Sequence, residues 1–596
     1  MDPIIVSANR SKALKGNMNN EQGNFALLGN QDIKDMPFTA LSIGSQALDL
    51  LAGPTVPIDK VLANNPAIRT AGSNLHNDFT YRGFRANGTS SLVNGIPGLM
   101  TQFNAPTYMM ERIDMLNGPA GGLTGAAVQY ESTAAGGLIN FITKKAPDED
   151  ILSIKEVFSG KSNFGTYLDV SKRFGTKKEW GVRVNAESVN GNTSIDDEKV
   201  KAQSVYINID HKSANSKTNL WMGYRDVEVK NGMRWFNLDK NVKTLPEAPK
   251  SSKNYSFKGM IKSSYGYVFA LNHEQRINDT WTAFFNGGYN NNNLDQNIMA
   301  RFSAYTLKNE AGDFNLDYMI GGTPQKSYFA QAGIVGNFNT NKIKHRVTFA
   351  VDKSWKDLDT AYGVIYPGVP INQTYGTLGT GNLYTGLNQR NMPISTYKTG
   401  SSAKNRMYGF SILDNMSYEK WGLLLGAHWH KSTVGSYRPA TGDNLSQVSS
   451  SATSPTIALT YKPNNNYLVY ANHSEYFDTG RVVAVTKANR GTILPPAKAK
   501  QNEVGIKFMK DDLLLSLSYF DISQATNIDV YRNENGINNV YTLQDGRDRY
   551  KGVDLSFNGR ISDKWSVFGG AMYMNAKMEE TSRGLMDGWL ASKCST

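Results

Sequence analysis

The chain contains almost no cysteine. Among its 596 residues the only cysteine is Cys594, so a disulfide framework and cysteine-based metal clusters are both excluded. Long hydrophobic runs are absent as well, since apolar residues make up 40% of the chain and the mean hydropathy is −0.44. No stretch approaches the length of a membrane-spanning helix, which excludes a helical membrane protein.

Concentrated positive charge is also lacking. The formal net charge is +12, but Lys and Arg are scattered along the chain without a long basic block. The charge therefore indicates solvated strand faces rather than a nucleic-acid site. No apolar segment of a signal peptide follows Met1, so we expect either a cytosolic protein or a mature or truncated form.

No catalytic or metal-binding pattern stands out. The chain has no HExxH motif, no Walker motif and no EF-hand loop. His428 and His430 would share one face of a strand, but no third metal ligand is evident beside them. We therefore expect that the protein is not an enzyme and holds no resident metal.

Glycine is plentiful, and it is concentrated in residues 81–147. Short apolar runs separate the glycines, which are Gly83, Gly88, Gly95, Gly98, Gly118, Gly121, Gly122, Gly125, Gly136 and Gly137. This pattern predicts a compact α+β domain whose bends are set by the backbone. Residues 1–30 are polar apart from Ile4, Ile5 and Val6, which predicts a flexible N-terminal arm.

From residue 148 onward the hydrophobic period is two. In one segment, for example, Val504 and Ile506 alternate with Glu503, Gly505 and Lys507. Strands of roughly ten residues recur, separated by tight turns and long loops in alternation, as in a transmembrane antiparallel β-barrel with a polar lumen. Aromatic residues near strand ends suit interfacial girdles; they are Trp180, Trp221, Trp355, Trp421, Trp565, Tyr467 and Tyr470.

A large soluble β-sandwich or propeller is the alternative, but no blade repeat is visible. Barrels of about 22 strands have a lumen wide enough for a folded domain, and an open lumen would leak. The N-terminal domain is therefore predicted to lie inside the barrel. The predicted organisation is an arm at 1–30, a plug domain at 31–147 and a β-barrel domain at 148–596.

Several ordered motifs resemble those of one family. YRGF at 81–84, ERIDMLNGP at 111–119 and GGLINFITKK at 136–145 look like its plug signatures. YANHSEYF at 470–477, LPPAKAKQNEVGIKF at 494–508 and YKGVDLSFNG at 550–559 look like its late-strand signatures. Over nearly its whole length, the chain resembles the TonB-dependent outer-membrane receptors, and within them the siderophore receptors.

The resemblance implies TonB-dependent active transport of ferric siderophores across the bacterial outer membrane. Iron would enter only as part of the ligand, and no cofactor is expected. Receptors for haem or cobalamin are the near alternative. A passive porin or an adhesin-type barrel is the alternative from a different class, although a porin would lack the ordered plug motifs.

The chain departs from the family pattern in two places. The family usually has arginine before the Gly-Pro of the second plug motif, where this chain has Asn117. In addition, the residues from Gly584 onward do not alternate and end in GWLASKCST. We therefore expect a truncated or frameshifted C-terminus, and a barrel of the 22-stranded type whose closing strands are missing.

The resemblance also implies roles for particular residues. A TonB box, which pairs with TonB of the inner-membrane complex by strand addition, is predicted in Asp2, Pro3, Ile4, Ile5, Val6, Ser7 and Ala8. A latch between plug and barrel is predicted to join Arg82 and Arg112 to Glu503 and Asp554. The strand alternation independently turns both acids towards the lumen, and buried charges need partners. Plug carbonyls satisfying Arg82 are the alternative.

Ligand is expected to bind between the plug apex and the outer loops. The predicted contacts at the apex are Arg85, Asn87, Thr89, Met100, Gln102 and Phe103. Those in the loops are Trp235, Phe236 and Tyr375, since aromatic side chains suit flat or weakly charged ligands. The alternative is that the loop tyrosines only stabilise a long loop.

Overall fold

The computed structural model describes most of the chain. The described residues are 20–51, 58–70, 74, 76–101, 103, 106–124, 135–232, 236–239, 242, 244–256, 259–299, 305–322, 324–364, 376–387, 396–437, 444–477, 481–483, 488–489, 492–510, 513–534, 537–562, 564–582 and 587–588. They form a small N-terminal α+β domain, the plug, and a large antiparallel sheet, the barrel wall. The predicted fold class is confirmed.

The plug consists of short elements. Its strands are β1 Gln22–Asn24, β2 Asn30–Asp32, β3 Ala40–Ile43, β4 Ile68–Thr70, β5 Asp78–Tyr81, β6 Phe84–Asn87, β7 Leu92–Val93, β8 Ile96–Pro97, β9 Met110–Asn117 and β10 Gly137–Thr143. Its helices are α1 Ser45–Leu51, α2 Ile58–Leu62 and α3 Gly121–Thr124, with 3-10 turns at Ala26–Leu28, Ile33–Asp35 and Gly88–Ser90. Among the described residues, no helix is long and apolar enough to cross a membrane.

The centre of the plug is a five-stranded sheet in the order β3-β9-β10-β7-β8. The β7–β10 pair is parallel, and the other pairs in this sheet are antiparallel. Ile113, Met115, Ile139 and Phe141 are buried in its core, because the apolar runs of β9 and β10 pack against each other and against the helices. Strands β4, β5 and β6 form a second sheet.

The YRGF motif forms the tip of the β5–β6 hairpin. Tyr81 pairs with Phe84, and the two residues between them have positive φ values, 43° at Arg82 and 84° at Gly83. Two-residue hairpins favour this left-handed geometry, which glycine adopts without steric cost. A Cβ on Gly136 would lie 1.8 Å from the carbonyl oxygen of Tyr81, so glycine at this position permits the close approach of β10 to the hairpin.

The barrel wall contains seventeen long strands in the described residues. With the short strands of the loops, the elements are β11 Ile151–Ser159, β12 Ser162–Phe174, β13 Trp180–Asn192, β14 Lys199–Lys212, β15 Ser216–Lys230, β16 Phe236–Leu238, β17 Ile261–Arg276, β18 Trp281–Met299, β19 Tyr305–Leu307, β20 Asp313–Gly322, β21 Gln325–Thr340, β22 Ile343–Val364, β23 Gly376–Asn382, β24 Gly386–Leu387, β25 Thr396–Tyr418, β26 Trp421–Tyr437, β27 Asn444–Asn464, β28 Tyr467–Phe477, β29 Arg481–Val482, β30 Ile493–Leu494, β31 Lys498–Lys510, β32 Leu513–Glu534, β33 Ile537–Ser562 and β34 Trp565–Glu579.

Neighbouring wall strands are antiparallel and follow the chain order. Short turns connect them at one end. The connections at the other end include the long loops, but β11–β12 and β32–β33 are joined there by only two residues each. Within the described residues, the outer edges of β11 and β34 are not hydrogen-bonded to another strand. The wall strands number fewer than the 22 of the predicted type. The predicted domain boundary at 147/148 falls in the segment between β10 and β11, and it stays a prediction.

The predicted alternation of the wall strands is confirmed. Val504 is 54% exposed on the outer face, whereas Glu503 is 1% exposed and faces the lumen. Val553 and Leu555 are likewise exposed, and Asp554 between them is buried. The period-two pattern therefore predicts correctly that both acids face the plug, since successive side chains of a strand point to opposite faces.

The predicted aromatic girdle is correct in part. Trp180, Trp421, Trp565 and Tyr467 begin strands at the short-turn end and are exposed on the outer face. Trp355 is half-buried and stacks on Tyr328 with 4.9 Å between the ring centroids. The prediction is wrong for Trp221 and Tyr470, which are buried on lumen-facing positions. The plug supplies the apolar and polar contacts that bury these two rings.

Candidate functional site

Arg82 lies at the centre of the contact between plug and barrel. Its guanidinium is fully buried, and Nη1 donates to Glu503 Oε2 at 2.6 Å and to Gln501 Oε1 at 2.8 Å. Nη2 donates to Asp554 Oδ2 at 3.2 Å, and the guanidinium carbon lies 4.0 Å from the ring centroid of Phe520. All these contacts are to barrel residues, which contradicts the alternative that plug carbonyls satisfy Arg82.

The site holds one guanidinium against two buried carboxylates. Burial by itself would lower the pKa of Arg82, but Glu503 and Asp554 raise it above the ordinary value, so the guanidinium stays charged. Removing one member of a buried ion pair leaves an uncompensated charge in a medium of low polarity. The contacts therefore hold the hairpin tip against the wall.

Asn117 fills the position where the resemblance predicts arginine. Its Nδ2 donates to Asp554 Oδ2 at 2.7 Å. Its Oδ1 accepts from the Tyr81 hydroxyl at 2.6 Å and from Asn65 Nδ2 at 2.8 Å. Burial raises the pKa of Tyr81 well above its usual value, so the phenol stays protonated and donates. The neutral asparagine thus joins the plug to Asp554 without adding a second positive charge.

Arg112 does not belong to this contact, and its predicted place in the latch is wrong. Its Nε donates to Asp114 Oδ2 at 3.0 Å within the same plug strand. Arg112 and Asn117 are an odd number of residues apart in β9, so their side chains leave opposite faces of the strand. Only the face with Asn117 meets Glu503 and Asp554.

Thr39 is a contact that sequence reasoning missed. Its backbone N–H and its hydroxyl donate to Glu503 Oε1, at 3.0 and 3.2 Å. The Tyr470 hydroxyl donates to the same oxygen at 2.8 Å. No sequence signal marks Thr39, but Tyr470 shares its strand face with Asn472 and Ser474, and this polar face could have placed Tyr470 in the lumen.

Several of the predicted ligand contacts at the plug apex are buried in the structure. Asn87, Thr89 and Met100 are buried, and Asn87 Oδ1 accepts hydrogen bonds from the backbone and hydroxyl of Thr89. Phe103 is buried in an apolar cluster with wall residues. In this structure these side chains serve packing and capping, and Met100 and Phe103 also line a cavity together with Tyr206 and Trp221. Their role in ligand binding stays a prediction. Arg85 differs, because 38% of its side chain is exposed. Its Nη2 lies 3.5 Å from Asp78 Oδ1.

The remaining predicted residues divide into two groups. Gln102, Trp235, Tyr375 and the TonB-box segment 2–8 lie outside the described residues. Phe236 belongs to a small sheet formed by three long loops, which we call the loop cap. The cap consists of β16, β19, β20, β23 and β24, with β16 parallel to β19 and the other pairs antiparallel.

The loop cap has an aromatic core. Phe236 lies 5.0 Å from Phe314 and 5.4 Å from Tyr255, measured between ring centroids, in edge-to-face arrangements. Phe314 is fully buried, and the Tyr255 hydroxyl donates to the carbonyl oxygen of Leu383 at 2.6 Å. Phe236 thus packs in the cap and is partly buried, and its role as a ligand contact stays a prediction.

Comparison with known families decides the identity of this architecture. Residues 207–588 match the family model "TonB dependent receptor-like, beta-barrel", and residues 32–138 match the model "TonB-dependent Receptor Plug Domain". The chain belongs to the TonB-dependent receptor family. It is therefore an outer-membrane β-barrel with an internal plug domain.

Individual relatives of this TonB-dependent receptor are distant in sequence. The ferrichrome receptor FcuA of Yersinia enterocolitica is 23% identical over 576 residues, which cover 95% of this chain and 73% of the relative. BauA, the ferric preacinetobactin receptor of Acinetobacter baumannii, has a similar crystal structure, with a TM-score of 0.86 and 24% identity over 97% of this chain and 84% of its own. The siderophore receptor PiuA of the same species has a TM-score of 0.78 and 17% identity, covering 96% and 84% of the two chains.

The receptor also carries a pair of buried histidines in its wall. His428 Nδ1 is 2.8 Å from the hydroxyl of Ser411, and the rings of His428 and His430 are 5.5 Å apart between centroids. In the described part of the chain, no group of three or more His, Cys, Asp or Glu side chains could hold a metal ion.

Proposed function

We propose that this receptor transports ferric siderophores across the outer membrane in a TonB-dependent manner. The role is transport and not catalysis, and iron passes only as part of the ligand, without a resident cofactor. Relatives named as receptors for ferrichrome, ferrioxamine and ferric pyoverdine support this ligand class. Each shares less than a quarter of its aligned residues with this chain, so the particular siderophore is left to experiment.

The observation that carries the proposal is the buried charge network around Arg82. A plug held by non-covalent ion pairs and hydrogen bonds closes the lumen at rest but can be displaced by work done on it. Passive diffusion through a porin requires no such domain in the lumen. The network of Arg82, Glu503 and Asp554 is therefore better explained by energised transport.

TonB is the proposed source of that work. The predicted TonB box at 2–8 would pair with TonB by adding a strand to it. A contact in the N-terminal part of the plug supports the direction. Lys462, beside a short turn of the wall, contacts Asp35 with 2.9 Å between Nζ and Oδ1. An arm that leaves the plug near this contact would emerge at the short-turn end, opposite the long loops.

The ligand is proposed to bind at the other end, between the plug apex and the long loops. Among the predicted apex residues that the structure describes, Arg85 has a partly exposed side chain. The loop cap gives three loops a shared, packed structure above the wall. Haem and cobalamin remain the alternative ligands.

A binding titration tests the ligand class. The purified full chain in detergent would be titrated with ferric hydroxamate, catecholate and mixed-ligand siderophores, and with haem and cobalamin, while tryptophan fluorescence is recorded. We expect at least one ferric siderophore to quench the fluorescence saturably. We expect Arg85→Gln to weaken the binding of that siderophore. Binding of haem or cobalamin alone would contradict the proposal.

An uptake experiment tests the role of TonB. Cells that lack other siderophore receptors would produce the full chain, with or without deletion of residues 2–8, and take up radiolabelled iron bound to the siderophore found above. We expect the deletion to abolish uptake and to leave ligand binding unchanged. Equal uptake by both forms would show that the TonB-box assignment is wrong.

A further inference from the structure

Residues 33–39 form a segment, here called the strap, that precedes β3 and lies against the inner face of the barrel wall. Met36 and Phe38 of the strap are buried, and both belong to an apolar cluster that includes wall residues. Three polar contacts join the strap to the wall below Thr39: Lys462 Nζ to Asp35 Oδ1 (2.9 Å), Lys507 Nζ to the Ile33 carbonyl (2.6 Å) and Asn472 Nδ2 to the Pro37 carbonyl (2.8 Å).

The strap ends on the carboxylate that holds Arg82. Glu503 divides its two oxygens between different parts of the plug. Oε1 accepts from the backbone and the hydroxyl of Thr39, and from Tyr470. Oε2 accepts from Arg82 at 2.6 Å. One buried side chain therefore joins the strap to the YRGF hairpin.

Thr39 is connected to the second acid as well. Its carbonyl oxygen accepts from the backbone N–H of Asn117 at 2.9 Å, and Asn117 Nδ2 donates to Asp554 at 2.7 Å. A displacement of Thr39 thus disturbs the hydrogen bonds of both carboxylates that hold Arg82.

We propose that Thr39 is a positioning residue that couples withdrawal of the strap to release of Arg82 from Glu503. The inference rests on the proposed function, in which the plug is displaced from its N-terminal side. Withdrawal removes two donors from Glu503 Oε1 and uncovers the carboxylate to water entering from the short-turn end. An ion pair near a protein surface weakens about fourfold when its surroundings become bulk water, so Arg82 is released after the strap and not before it.

The order of the contacts along the strap supports this sequence of events. A pull on the N-terminal side first has to free residues 20–32, in which Asn20 donates to Ser42 and Asn24 to Asp114 inside the plug. Along the strap it then reaches Ile33 and Asp35, next Pro37, and Thr39 last. The contacts therefore break one after another, which requires a smaller peak force than breaking them together. The contact between Thr39 and Glu503 is therefore the last of the strap contacts to break.

A disulfide staple tests whether the strap must leave the wall. The Thr39 and Ser518 hydroxyl oxygens are 2.9 Å apart, so Thr39→Cys and Ser518→Cys, in a Cys594→Ser background, place two thiols across the strap–wall contact. The matched control staples Thr433→Cys to Ser449→Cys, whose hydroxyl oxygens are also 2.9 Å apart but join two wall strands.

We expect the oxidised strap staple to bind ferric siderophore normally and to lose uptake, and dithiothreitol to restore it. The oxidised control should transport in both conditions. Uptake by the oxidised strap staple at the control rate would overturn the coupling and leave the proposed function intact.

A second variant measures the coupling without transport. Thr39→Val removes the hydroxyl and keeps the size of the side chain, and Thr39→Ser should restore the hydrogen bond. We expect Thr39→Val to speed amide exchange in the hairpin 78–87 about tenfold, the effect of one lost hydrogen bond. Thr143→Val is the control, because Thr143 is also buried but its hydroxyl accepts from Asn94 inside the plug.

The uptake and amide-exchange experiments distinguish a failure of the proposed function from a failure of the coupling. If no ferric siderophore binds to the reduced, unstapled protein, the proposed function is wrong, and the exchange comparison alone decides the coupling. Equal exchange in the hairpin for Thr39→Val and Thr143→Val would overturn the coupling whatever the ligand is.

Discussion

Replacing Arg82 by glutamine is the most direct perturbation of the plug–barrel contact. The substitution keeps a polar side chain but removes the positive charge that, among the described residues, contacts both Glu503 and Asp554. Asn117, Thr39 and Tyr470 would still donate to the two carboxylates. The variant therefore leaves both acids hydrogen-bonded, buried and without their cation.

The expected cost follows from the burial of all three groups. Removing one partner of a buried ion pair costs about 3–5 kcal/mol, because the remaining charge stays in a medium of low polarity. Since about 1.4 kcal/mol corresponds to a factor of ten, the open state of the hairpin should become about a hundredfold to several thousandfold more populated.

Native-state amide hydrogen exchange measures this population directly. The detergent-solubilised protein would be followed at the amides of β5 and β6, with Arg85→Gln as the matched control in the same hairpin. The Arg85 side chain is partly exposed and lies 3.5 Å from Asp78, so its loss should cost less than about 1 kcal/mol. We expect a large loss of protection for Arg82→Gln and a small one for Arg85→Gln.

A second substitution in the Arg82→Gln background tests whether the uncompensated carboxylate charges cause the loss of stability. Glu503→Gln removes one of the uncompensated charges, so the double variant should regain at least about 1 kcal/mol of the lost stability. If Glu503→Gln destabilises the hairpin further, or if the two arginine variants behave alike, then the ion pairs of Arg82 do not hold the hairpin against the wall.

Three other substitutions test neighbouring features. Asn117→Leu should lower the opening free energy of the hairpin by about 1–3 kcal/mol, because Asp554 and Tyr81 each lose a hydrogen-bond partner; unchanged amide exchange would contradict this. Gly136→Ala should reduce the protease-resistant plug, since its Cβ would lie 1.8 Å from a carbonyl oxygen, and wild-type resistance to trypsin would show that the backbone can move. Phe314→Ala should destabilise the loop cap by about 3–5 kcal/mol and expose the loops to limited proteolysis while the wall stays intact; cleavage at the wild-type rate would argue against a packed cap.

Much of the wall could be predicted from local patterns. The period of two placed Glu503 and Asp554 on the lumen face correctly, because alternation along a strand does not depend on what the strand packs against. The same rule assigns Tyr470 to the lumen beside Asn472. The girdle prediction for Tyr470 is wrong because it rests on the general preference of aromatic residues for membrane interfaces. The alternation along β28 places Tyr470 on the lumen face instead.

The choice between the two plug arginines could not be made in this way. Arg82 and Arg112 each lie in one of the plug motifs. The family resemblance predicts a place in the latch for both. The twist and docking of β9 decide which of its faces meets the wall, and the face with Asn117 does so. Arg112 consequently pairs with Asp114 inside the plug.

By itself, the sequence determined the plug and barrel classes, the inward direction of the two acids and the tight turn at Arg82 and Gly83, since alternation and turn geometry are local properties. The family resemblance pointed to the pairing of Arg82 with Glu503 and Asp554, and only the tertiary structure decided that Thr39 and Asn117, and not Arg112, join Arg82 there. Arg82 and Asp554 are 472 residues apart in the chain. Contacts over such separations depend on strand register and on the docking of one domain inside another, and no local pattern encodes either.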